Sequence, residues 1–255
     1  MGVLSSYTRE ELAFILCYPT PTASCFNKRV VEASLLGVRR FLRQGKTLIN
    51  GVPVVGKGTT AIVVAAEHVR GVLAALKIRR LDSNRPSMLR EAYILRLANT
   101  VGVGPLFLAA SKNLLLWRLV RGVSLLEWLK SRKDPEEVKK LFVQLLYQLY
   151  LLDKTGIVHT ELSRPSGHIL VENGKPVVLD FESASLTSKK SNVTQFLSLL
   201  LRNTEYSIIL RSYIPELPDR GKLREILRQY KRRRDIEYLL KGLKLRDYLT
   251  ISITT

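Results

Sequence analysis

Val158 to Ser183 reads V-H-T-E-L-S-R-P-S-G-H-I-L-V-E-N-G-K-P-V-V-L-D-F-E-S, and its reading decides the fold. Two short apolar runs, Ile169–Val171 and Pro176–Leu179, flank Asn173-Gly174. Asn-Gly tolerates the positive φ angles of a two-residue turn, so the pattern predicts a β-hairpin. A His-x-Glu-Leu loop (His159, Glu161, Leu162) stands just before the hairpin, and Asp180-Phe181 just after it. The hairpin thereby holds Glu161 and Asp180 near one another at the ends of its strands. Two carboxylates fixed that way can bind a divalent metal and accept a proton from an alcohol, the chemistry of phosphoryl transfer.

Upstream, residues 47–80 switch to β patterning in three runs, Thr47–Val55, Thr60–Glu67 and Gly71–Arg79. Between the first two, Gly56-Lys57-Gly58-Thr59-Thr60-Ala61-Ile62-Val63 matches G-x-G-x-x-[G/A]-x-V. Glycines in such a loop let backbone N–H groups approach phosphates closely. Gly51–Lys57 also nearly reads as a Walker A loop. Position 58 is glycine, however, so no hydroxyl reaches a magnesium ion, and Val52-Pro53-Val54-Val55 favours a strand. Ala75-Leu76-Lys77 closes the third run. Met88–Ala98 has helical periodicity and carries Glu91, fourteen residues after Lys77.

Together these motifs resemble the protein-kinase fold, with its H-R-D-L-x-x-x-x-N loop, hairpin and D-F-G. The resemblance covers about Gly51–Arg202 and is nearest the minimal atypical kinases, the RIO type and the kinase of the KEOPS complex. Through K-I-R-R, S-R-P-S and D-F-E-S-A the chain is most similar to a group of archaeal predicted serine/threonine kinases. The resemblance implies an α+β, bilobal fold with a small β-rich N-lobe (45–120) and an abbreviated helical C-lobe (121–218). Helical extensions are expected at both ends, residues 1–44 and a basic C-terminal helix over 219–255. ATP and Mg2+ are the implied cofactors. Gly56, Lys57 and Gly58 would cover the phosphates, Lys77 would pair with them, and Glu91 would hold Lys77. Leu119 to Arg121 would be the hinge touching adenine; Asp180 and His168 would hold the metal, and Glu161 would be the base.

The pattern departs from that family in three places. Glu161 replaces an aspartate, and its extra methylene displaces the oxygens by over an ångström, enough to cost roughly a hundredfold. The metal-binding asparagine is missing: Ser166 holds its position by count, His168 by place in the strand. Histidine is a poor magnesium ligand, since hard cations prefer oxygen. Glu182 replaces the glycine of D-F-G and removes the backbone flip that glycine permits. His159 is expected to be a structural hydrogen-bonder within its loop.

Elsewhere, Thr8 with Glu11 forms a capping box opening a helix over Glu10–Leu16, and a second helix is expected over about Lys28–Arg43. Residues 1–44 then read as a winged-helix unit or, better, a helical brace on the small lobe. Asp134-Pro135-Glu136-Glu137 is a strong helix start, followed by Val138, Leu141, Phe142, Leu145, Leu149 and Leu152 at helical spacing. Residues 219–249 read as one basic helix with Lys231-Arg232-Arg233-Arg234 at its centre and the apolar stripe Leu223, Leu227 and Tyr230.

The chain has 255 residues, with 41 basic against 22 acidic side chains and a net charge of +19. That field favours polyanionic partners such as RNA or ribonucleoprotein, or else is a thermophile-style surface of Arg and Lys. Cys17 and Cys25 are expected to form no disulfide framework, which points to a reducing compartment. No apolar run nears 18 residues and no signal-peptide core is seen, so a soluble, cytoplasmic protein without a membrane partner is expected. The leading reading is an atypical serine/threonine kinase-like phosphotransferase or ATPase acting on an unknown protein acceptor. Its rivals are a nucleotide-binding pseudokinase scaffold and an RNA- or ribosome-associated binding module. A small-molecule kinase of the aminoglycoside type generally has a larger acceptor-binding C-terminal part.

Overall fold

The computed structural model describes residues 3–131 and 133–249 and divides the α+β chain into two compact units. Unit 1 comprises Met1–Arg96 and Pro105–Val120; unit 2 comprises Leu97–Gly104 and Arg121–Thr255.

Unit 1 begins with β1 (Leu4–Ser5), α1 (Arg9–Leu16) and α2 (Ala23–Leu35). The capping box forms as the residues dictate: the Thr8 hydroxyl accepts from the Glu11 amide at 3.2 Å, and the Thr8 amide donates to the Glu11 carboxylate at 3.0 Å. The expected second helix is displaced. It starts earlier, because the Thr22 hydroxyl caps it by accepting from the Cys25 amide. It also ends earlier, and Gly37 at φ 84 turns the chain out of it. Val38–Leu42 is therefore not helix but strand β2, which buries Val38 and Phe41.

A β-hairpin follows, β3 (Thr47–Ile49) and β4 (Val52–Val54), then β5 (Gly56–Lys57), β6 (Ala61–His68) and β7 (Leu73–Arg79). Helix α3 (Leu89–Asn99) and strands β8 (Phe107–Ala110) and β9 (Leu114–Arg118) complete the set. The main sheet is mixed, in the order β1-β2-β6-β7-β9-β8 with β5 on β6; β1 runs parallel to β2 and the other pairs are antiparallel. Helices α1 and α2 share one core with this sheet: Leu12, Ile15, Leu16 and Ala33, with Phe41 of β2, cluster with Ile62, Val64, Leu76 and Ile78. Arg29, 4% exposed, bolts α2 to the sheet by donating to the carbonyls of Asn113 (3.2 Å) and Arg79 (3.1 Å).

The cysteines correct the sequence reading. Cys17 and Cys25 are joined in a disulfide, their Cα atoms 6.2 Å apart. The turn between α1 and α2 brings the end of one helix to the start of the next, which spacing alone does not reveal. The inference from unpaired thiols to a reducing compartment loses its basis. Closing a loop of sequence separation 8 is worth roughly 2–3 kcal/mol in the chain-entropy account. Exchanging Cys25 for Ser should lower the urea midpoint accordingly, and an unchanged midpoint would remove the crosslink from the stability of unit 1.

Unit 2 contains β10 (Val123–Ser124), α4 (Leu125–Lys130), α5 (Pro135–Lys154), β11 (Ile169–Glu172) and β12 (Lys175–Val178). Then come α6 (Asn192–Leu197), a 3-10 turn over Ser198–Leu201, α7 (Glu205–Tyr213), α8 (Arg220–Arg233) and α9 (Ile236–Gly242). The hairpin expected at Asn173-Gly174 forms, with φ of 51 and 74 at the two turn residues. Strand β10 adds to its β11 edge. Helix α5 is capped by Asp134, with Pro135 in its first turn. Its apolar stripe is buried, and Phe142 meets Phe196 of α6 with ring centroids 6.0 Å apart.

The expected single basic helix is two helices. Arg234 is left-handed, at φ 51 and ψ 45, and Asp235 caps α9 by accepting from the Tyr238 amide. Leu223, Leu227 and Tyr230 bury the stripe of α8. Lys231, Arg232 and Arg233 stay exposed, whereas Arg234 pairs with the fully buried Asp153 at 2.8 Å. The cationic run thus leaves three exposed side chains rather than four. Residues 250–255 of the expected tail lie outside the described residues. Among the described residues, no helix is long and apolar enough to cross a membrane.

Candidate functional site

In unit 1, Lys77 sits in the middle of β7 and Glu91 in the first turn of α3. Both are buried, 6% and 7% exposed, and the Lys77 Nζ stands 2.9 Å from each Glu91 carboxylate oxygen. A buried ammonium is tolerated only when so compensated, and removing one partner strands the other's charge. The structure thus brings together the two residues that the resemblance paired.

Gly56 and Lys57 form β5, and the Gly58 amide closes the turn onto the Ala61 carbonyl at 2.8 Å. That amide is committed and does not face outward as a spare donor. A Cβ built on Gly56 would meet nothing within 4 Å, so the fold itself does not demand glycine there. The loop is fastened from outside: Arg80 donates to the Gly58 carbonyl at 2.9 Å, and its guanidinium lies 4.8 Å from the Tyr18 ring centre. Lys57 also lies 4.8 Å from that ring, so its ammonium rests on Tyr18. The residues expected to form a hinge are less available than their positions suggest. The Leu119 amide donates to the Leu73 carbonyl at 2.8 Å, and the Arg121 amide donates to Glu172.

In unit 2 the loop before the hairpin is built around His159, which is fully buried. Its Nε2 stands 2.9 Å from the Leu179 carbonyl, and its Nδ1 accepts from the Glu161 amide at 3.4 Å. These contacts select the neutral tautomer with the proton on Nε2, and burial pushes the pKa down in the same sense. His159 is therefore a fastener between the Glu161 loop and the strand end before Asp180. Its own amide donates to Asn192 Oδ1 at 2.7 Å, and its carbonyl accepts from Gln195 at 3.2 Å.

Ligand atoms of Glu161, His168 and Asp180 all lie within 4.8 Å of one another. Opposed oxygens around a divalent ion lie about 4.2 Å apart for magnesium and about 5 Å for calcium, so two carboxylates and an imidazole at this spacing can enclose one cation. Glu161 Oε2 is 3.8 Å from His168 Nε2 and accepts from the Ser183 hydroxyl at 2.9 Å. Asp180 adopts the left-handed region at φ 63, a conformation that aspartate reaches more readily than most residues. The two alternatives for the missing asparagine separate here: His168 stands beside the carboxylates, while Ser166 turns toward Tyr206.

A buried hub that the sequence reading missed holds this loop. Asp153, on the last turn of α5 with its side chain fully buried, accepts from the Ser191 hydroxyl (2.6 Å), the Asn192 amide (2.7 Å) and the Asn192 side chain (3.0 Å). The Tyr230 hydroxyl adds a fourth bond at 3.0 Å, and Arg234 supplies the countercharge. Burial, with Asp153 beside it, pushes the Tyr230 pKa upward and keeps that hydroxyl a donor. Asn192 then reaches from this hub to His159. One signal was present: an acid four residues after Leu149 falls on the buried stripe of an amphipathic helix, where a charge needs a partner.

No protein-family model matches the chain, and no curated protein matches it.

Proposed function

We propose that the protein is an ATP-dependent phosphotransferase with kinase-like chemistry. The observation that carries this reading is the buried Lys77–Glu91 pair, a fixed cation on a β-strand suited to nucleotide phosphates. Asp180 and His168 would hold a divalent cation with the Glu161 carboxylate beside it, and the acidic surroundings make the set acceptable to magnesium despite the nitrogen donor. When bound, that cation neutralises phosphate charge. Glu161 accepts the proton of the acceptor hydroxyl, and the Ser183 hydroxyl orients its carboxylate. His159 and Asn192 keep the loop in place.

The test is a thermal-shift titration. ATP with magnesium should raise the melting temperature, Asp180→Asn should abolish the shift, and Lys77→Met should weaken it. Each variant is compared with its own ligand-free transition, because Lys77→Met also strands Glu91. If both variants respond like the parent, this site assignment is wrong. A binding-only scaffold is the second reading, favoured by His168 standing where an oxygen donor would serve magnesium better.

A further inference from the structure

Beside Glu161 lies a pocket of about 670 Å³ formed entirely by unit 2. Its volume is that of a small-molecule site. Glu161 is the acid in its lining; Arg164 and Arg202 are the cations. Among the described residues neither guanidinium has a carboxylate partner. Arg202 is nonetheless held in place, donating to the Ser163 carbonyl at 2.7 Å. The lining includes Tyr206, only 6% exposed, whose buried hydroxyl is turned toward Ser166 without a well-directed hydrogen bond. A buried hydroxyl left in that state costs free energy that a ligand oxygen recovers. Burial pushes the Tyr206 pKa up, so it is a donor at neutral pH.

We propose that this pocket is the acceptor site and that the acceptor is a small phosphomonoester bearing a free hydroxyl. Its phosphate is bound by Arg164, Arg202 and the Tyr206 hydroxyl, and its hydroxyl is presented to Glu161. Arginine forks match phosphate oxygens in pairs, which suits a lining with two of them. This assignment rests on the phosphotransferase reading. In the transfer, the acceptor oxygen forms a bond to the γ-phosphorus of ATP while the bond from that phosphorus to the β,γ-bridging oxygen breaks. The electron pair leaves with ADP, and the hydroxyl proton passes to Glu161.

The experiment uses the full chain and measures binding of ribose 5-phosphate, glycerol 3-phosphate and inositol 1-phosphate against ribose, glycerol and inositol. At least one phosphorylated probe should bind while its neutral counterpart does not. Arg164→Gln, on an exposed side chain that the fold does not use, should weaken that binding about tenfold or more, as should Tyr206→Phe. With radiolabelled ATP, Arg164→Gln should raise the acceptor KM and leave kcat nearly unchanged. The melting shift from ATP with magnesium should persist in Arg164→Gln. If that shift is present but no phosphorylated probe binds, the acceptor assignment falls and the phosphotransferase reading stands. Binding of a probe with no ATP shift overturns the phosphotransferase reading and leaves a phosphomonoester site. RNA or a peptide competing through Arg164 and Arg202 while the small probes fail would overturn the small-acceptor assignment.

Discussion

Exchanging Glu161 for glutamine is expected to lower ATP turnover by about a hundredfold or more while ATP affinity holds, the range that a general base contributes. The change keeps the shape and the Ser183 contact, which the carboxamide oxygen can still accept, and removes only the charge. Glu161→Asp is the more telling variant. The loop places the longer side chain against Ser183 and beside His168, so a shortened carboxylate retreats from both and from the acceptor. Its turnover should fall as well. A scaffold that drifted from aspartate would instead gain activity in the Glu161→Asp variant, or show none in any form. Measuring the magnesium requirement of the glutamine variant divides the roles further. An unchanged requirement with lost turnover assigns Glu161 to proton transfer, whereas a raised requirement assigns it to the metal. Equal single-turnover rates in all three proteins would remove Glu161 from the chemistry.

Asp153→Ala is expected to destabilise unit 2 by roughly 3–5 kcal/mol, the cost of stranding partners of a buried charge. The substitution leaves the Ser191 hydroxyl, the Asn192 amide and the Tyr230 hydroxyl without their acceptor, with Ser191, Asn192 and Tyr230 all buried. Urea unfolding reads the loss directly. Arg234→Gln should cost less alone, since its side chain is 27% exposed and water can take up part of the lost interaction. In an Asp153→Ala background its further cost should nearly vanish, because the partner is already gone. Full additivity of the two losses would show that the pair is not coupled. Because Asn192 carries the hub to the His159 amide, turnover should also fall in Asp153→Ala below the unfolding transition.

Local structure was legible wherever a few adjacent residues settle it. Asn173-Gly174 specifies its turn because those two residues tolerate positive φ, whatever surrounds them. Thr8 with Glu11, and Asp134 with Pro135, specify helix starts because the orphan amides they satisfy lie within one turn. Lys77 and Glu91 could be paired through the resemblance because only the end of β7, one loop and the first turn of α3 separate them. Val38–Leu42 was different. Its residues extend a helical pattern as readily as a strand, and only pairing with β6 decides between the two. The Cys17–Cys25 bond depends on the path of the turn between two helices, which neither cysteine encodes. Arg234 reads as one more cation in a basic run, yet it turns inward because Asp153, far back in the chain, is buried beside it. The sequence by itself determined the caps, the turns and the types of chemical group around the hairpin. Which of these groups meet is settled by the folded chain, since the energy of a buried charge or hydroxyl depends on partners brought from a distance.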